Sequence, residues 1–143
     1  MKKLLLIIIL AASALISRAQ TISALADTAF AHQQYNKAFD YYSDVVKTDP
    51  TNLTALRRRA FCMMNFEGQE LNATRFFAEA LKVEPKDPAS NYYMGVIYKD
   101  AAKDPKHKTE KADFKAKAAL YLKNAINYGS KDAESAIGEL NGI

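Results

Sequence analysis

Few side chains in this 143-residue sequence are of the types that acid–base or metal chemistry needs. There are two histidines, His32 and His107, and a single cysteine, Cys62. Neither histidine stands at helical spacing from a cysteine or carboxylate set of the kind that encloses zinc, so no metal site is expected. Asp40 and Asp44 lie one helical turn apart, but on a face read as exposed. The sequence contains no glycine-rich phosphate loop and no GxSxG elbow. Neither an enzyme nor a cofactor is expected. The chemistry on offer is recognition: Arg57, Arg58 and Arg59 stand in succession, Phe61 follows, and tyrosines recur along the chain. Arginine and tyrosine are the types that most often dominate binding interfaces.

The elements that position these residues are helical. Glycine and proline number only five and four, too few for the turns of a sheet sandwich. One segment stands apart. "MKKLLLIIILAASALISRAQ" opens with two lysines and continues with an apolar run of about a dozen residues, short of the roughly 20 that a spanning helix needs. Ser17 and Ala19 put small residues where a signal peptidase reads. Residues 1–19 are therefore read as a signal peptide cut before Gln20, the alternative being an uncleaved anchor, and the mature chain as exported, periplasmic or secreted. No membrane span is expected after the cut. Lys2, Lys3 and Arg18 leave with the leader and take three of the four net positive charges, so the mature chain is +1. That near-neutrality argues against nucleic acid as a partner. Cys62, alone in an exported chain, has no internal disulfide partner and is read as a small buried thiol between helices.

Three stretches repeat one another without gaps: "QYNKAFDYYSDVVKTDPTN" from Gln34, "QELNATRFFAEALKVEPKD" from Gln69 and "FKAKAALYLKNAINYGSKD" from Phe114. Ala38, Ala73 and Ala118 coincide. So do Tyr42, Phe77 and Leu122, then Val45, Ala80 and Ala125, then Val46, Leu81 and Ile126. These offsets trace one face of an α-helix. The first two copies stop at Asp49-Pro50 and Glu84-Pro85, because proline pushes the preceding residue out of helical geometry; the third stops at Gly129-Ser130, a C-cap. Upstream of each copy lies a second helical pattern in which a small residue (Ala26, Ala60, Gly95) recurs at steps of 34 and 35, allowing close helix contact. A helix–turn–helix unit at that period is the signature of a solenoid.

The chain thus resembles a small exported bacterial tetratricopeptide-repeat protein over residues 22–128. Ala38, Tyr42 and Pro50 fall at the family's signature alanine, aromatic and proline; the second unit keeps Ala60, Gly68, Ala73, Phe77, Ala80 and Pro85. The third keeps Gly95, Tyr98, Ala118 and Ala125 but lacks the closing proline, and no unit has the family's tryptophan. The resemblance implies an all-α, right-handed solenoid of three helical hairpins (units about 22–50, 53–85 and 88–128). A capping helix is expected at about 132–140, making seven helices. The third hairpin carries ten extra residues, so its helices are expected to be long and to break near Lys103 and Asp104. Seven lysines face four acids between Lys99 and Lys117, which reads as a solvated tip or a dock for an acidic partner.

The resemblance also implies that the first helix of each hairpin lines a concave surface. On that basis the expected peptide-binding residues are Asp27, Arg57, Arg58, Phe61, Tyr92, Val96 and Lys99, with Ser23, Phe30 and Met64 beside them. Their chemistry suits a protein or peptide partner with an acidic or carboxylate end and an apolar neighbour. Ser23 and Asp27 stand where the lysine and asparagine of chaperone-binding relatives would be needed. The reading that follows is a non-catalytic adaptor; a structural subunit that stacks through the solenoid ends, in an oligomeric state the sequence leaves open, is the other.

Overall fold

The computed structural model of the chain describes residues 20–140, 142 and 143; the signal peptide read above lies outside them. Among the described residues there are seven α-helices and no strand. They are α1 (20–31), α2 (Tyr35–Thr48), α3 (Leu53–Met64), α4 (Ala73–Val83), α5 (Pro88–Lys103), α6 (Lys111–Asn127) and α7 (Asp132–Leu140). A 3-10 turn at Pro105–His107 joins α5 to α6.

Local chemistry sets the boundaries. Asn52 accepts the Ala55 N–H at 3.0 Å and caps α3. Asp87 accepts the Ser90 N–H at 2.8 Å and caps α5, with Pro88 as its first residue. Asp49 and Glu84, each before a proline, leave helical geometry with φ near −134° and −133° and end α2 and α4. After α6, Gly129 takes φ +97°; its N–H donates to the Ile126 carbonyl and that of Ser130 to the Ala125 carbonyl, a Schellman closure. Gln33 makes the same closure after α1 at φ 56° without being glycine, its N–H and that of Gln34 donating to the Phe30 and Ala29 carbonyls. Asp104 ends α5 and accepts the Lys106 N–H at 2.9 Å, so the break expected near Lys103 and Asp104 is a capped 3-10 turn.

Helix pairs α1–α2, α3–α4 and α5–α6 stack as three hairpins, and α7 closes the last one. The aligned apolar positions form the core. Ala38, Ala73 and Ala118 are all fully buried, as are Phe77 and Leu122, with Tyr42 at 1% exposure. The small positions are where backbones meet: Ala26 and Ala60 are inaccessible, and a Cβ on Gly95 would lie 2.6 Å from Leu122 Cγ. Cys62 is fully buried as a helix-contact thiol, and burial pushes its pKa up to about 12. Helices α5 and α6, at 16 and 17 residues, are longer than their counterparts and carry the expected extension of the third hairpin.

Candidate peptide-binding groove

The inner helices α1, α3 and α5 lie side by side, and the outward-facing side chains near their ends border an open groove of about 620 Å³. Its walls are Phe30 and Tyr35 from the first hairpin, Arg57, Arg58 and Phe61 from α3, and Tyr93 from α5. The rings run continuously across three units. Phe30 and Phe61 centroids are 5.5 Å apart, Tyr35 and Phe61 5.9 Å, and Phe61 and Tyr93 5.3 Å. Tyr93 in turn stacks on the buried Phe77 at 5.4 Å. All four groove rings are half-buried, so each keeps surface for a ligand. Edge-to-face and stacked rings hold one another in place, giving a rigid apolar floor.

The arginines differ in how firmly they are held. Arg57 Nη1 lies 3.1 Å from Asp87 Oδ1, and that carboxylate is only 4% exposed while also capping α5. Arg57 therefore ties the second unit to the third. Arg58 donates to the Asp27 carboxylate and, at 3.1 Å, to the Tyr42 hydroxyl, while Tyr42 donates to Asp27 at 2.8 Å. Its guanidinium lies over the Phe30 ring, 5.4 Å from the centroid. Arg59 points away from the groove, pairs with Glu79 and lies over Phe76 at 5.1 Å.

Units two and three solve the same packing problem with different chemistry. Arg58 and Tyr93 occupy equivalent positions, as do Asp27 and Phe61, and Tyr42 and Phe77. Between units one and two this contact is polar, Arg58–Asp27–Tyr42; between two and three it is aromatic, Tyr93–Phe61–Phe77.

Of the residues expected to bind peptide, the structure brings Arg57, Arg58 and Phe61 together in the groove, with Asp27 behind Arg58. It does not bring Tyr92, Val96 and Lys99 there. Tyr92 and Val96 pack against the cluster formed by α6 and α7. Lys99 is 6% exposed and its Nζ lies 2.6 Å from Glu139 Oε2 on α7. The reason is angular: Tyr92 and Tyr93 project about 100° apart on α5, and the capping helix covers the face that Tyr92 shares with Val96 and Lys99. Tyr93 and Tyr35 are the groove residues the sequence reading missed; the alignment of Tyr93 with Arg58 was the available signal.

A second cavity, about 520 Å³, lies between Met64, the Gly68–Leu71 turn and the far end of α5, with Asp100, Asp104 and His107 on its rim. Among the described residues no cluster of three His, Cys, Asp or Glu side chains could hold a metal ion. No described helix is long and apolar enough to cross a membrane.

No family model and no curated protein matches the chain. Solved structures do. The OM64 TPR domain from Arabidopsis aligns with TM-score 0.68 at 18% identity, over 87% of this chain and 94% of that one. The Sgt2 TPR domain from Aspergillus fumigatus gives 0.67 at 20% identity, over 87% of this chain and 77% of that one. The MamA protein gives 0.67 at 18% identity, over 85% of this chain and 61% of that one.

Proposed function

We propose, from a chain that has the tetratricopeptide-repeat fold, an exported and non-catalytic adaptor that holds a peptide or partner protein in the groove of α1, α3 and α5. The observation that carries this reading is the continuous row of half-buried rings, Phe30, Phe61 and Tyr93, beside Arg58. A partner that lays an apolar side chain on those rings and a carboxylate against the guanidinium satisfies both at once. The non-catalytic part is supported by the burial of Cys62 and by the separation of His32, in the first turn, from His107, in the third. The exported part rests on residues 1–19.

Thr54 is exposed at the groove wall. Thr54→Trp fills the groove from that wall without touching the ties between units. Proteins from an envelope extract that bind the immobilised parent are expected to be lost, at least tenfold, on the variant, with an unchanged circular-dichroism melt. Retention of the same proteins by a folded variant removes the groove as the binding face. The intact mass of protein from the envelope fraction tests export, and a chain beginning at Gln20 is the expected result.

A second reading, stacking through the solenoid end, draws on Leu25. Its counterparts Arg59 and Met94 are buried, whereas Leu25 is 46% exposed on α1, which no described unit precedes. A defined oligomer in gel filtration that Leu25→Lys returns to monomer would favour it.

A further inference from the structure

Two donors converge on one oxygen of Asp27: the Arg58 guanidinium and the Tyr42 hydroxyl. Both donors are fixed. Tyr42 is 1% exposed, its hydroxyl also accepts from Arg58, and burial keeps the phenol protonated as a donor. Arg58 is seated on Phe30. The acceptor is not fixed in the same way: the Asp27 side chain is 53% exposed, and an exposed ion pair contributes little to stability. Arg57 has no such freedom, because Asp87 is buried and committed to the α5 cap. Of the two groove arginines, only Arg58 has a partner that can leave into water.

We infer that Arg58 and Tyr42 form a carboxylate-binding subsite which the chain's own Asp27 occupies as an internal competitor. The inference rests on the groove reading above and names the partner chemistry: a carboxylate with an aromatic or large apolar group attached nearby. On binding, the incoming carboxylate takes both hydrogen bonds, Asp27 turns to solvent, and the apolar group lies on Phe30 and Phe61. Asp27 then sets a threshold, since a ligand must out-compete a tethered carboxylate. Without Asp27, the two donors face the ligand unopposed.

The probe is N-acetyl-phenylalanine with a free carboxylate, compared with its carboxamide, titrated into the purified chain by calorimetry and by the Arg58 Nε–H resonance. Asp27→Ala is expected to bind the carboxylate at least tenfold more tightly than the parent, with no gain for the carboxamide. Asp27→Ala combined with Arg58→Ala is expected to lose that gain. Equal affinity of parent and Asp27→Ala, or an equal gain for the carboxamide, overturns the inference. Should Asp27→Ala fail to fold, Asp27→Asn retains an acceptor for Tyr42 without the charge, and a folded Asp27→Asn with no gain overturns it equally. A carboxylate gain alongside undiminished capture by Thr54→Trp leaves the subsite standing and removes the groove reading. Lost capture with no gain does the reverse.

Discussion

At Gly95 there is no room for a side chain. A Cβ there would come within 2.6–2.7 Å of the Leu122 side chain, itself fully buried, and 3.1 Å from the Leu122 backbone nitrogen. Gly95→Val is expected to cost about 1–3 kcal/mol and to lower the melting temperature by several degrees. Gln33 has the opposite character, since it holds φ 56° with an L side chain. Glycine avoids most of that penalty but loses some advantage through its freer unfolded state. Gln33→Gly should therefore stabilise by several tenths to about 1 kcal/mol, measured by urea unfolding. These two positions also show what residue type reveals. Steric exclusion at Ala26, Ala60 and Gly95 leaves a trace in the sequence, because only small side chains fit. The choice between Tyr92 and Tyr93 leaves none, because both are tyrosine and only the angle about α5 separates groove from cap.

The helices owe their limits to a few polar side chains, and these are unequal. Asn52 makes only the cap of α3, whereas Asp87 caps α5 and receives Arg57 as well. Loss of a cap costs about 0.5–2 kcal/mol. Asp87→Ala is expected near the upper end of that range and Asn52→Ala lower, a difference that denaturant melts of the two variants resolve. Helix α7 depends on a different contact. Lys99 beside Glu139, foremost by hydrogen bonding, holds that carboxyl below its usual 4.5. A lowered folded-state pKa means stability present above pH 4.5 and lost as pH falls through the folded value. Acid should therefore loosen α7 first, seen as faster amide exchange in Asp132–Leu140 than in α3 at low pH. The proline stops, the Asp104 cap and the length of the third hairpin were legible because turn chemistry is local. The burial of Lys99 was not, because its partner lies 40 residues away.

Across the whole molecule, each hairpin touches only its neighbours, so stability is shared along a line and the ends matter most. At one end α7 supplies Ala133, Ala136 and Leu140 to the cluster around Ala118 and Leu122. Truncation after Ser130 would bare that cluster along with Tyr92 and Val96. The shortened chain is expected to melt lower and to self-associate with rising concentration, as sedimentation would record. The fold as a whole could be read from three alignments in register. The groove could be read only in part, because its rings meet through contacts between units that no single repeat encodes.

Cys62 gives the molecule a built-in clock. The thiol is wholly buried in the cluster of the first hairpin and the adjoining α3, and its pKa of about 12 leaves almost none of it reactive at neutral pH. Labelling by a disulfide reagent must wait until α3 parts from the first hairpin. The pace of labelling in unmodified protein, with no introduced dye or tag, times how often that seam opens, and a ligand bridging Phe30 and Phe61 across it should slow the count.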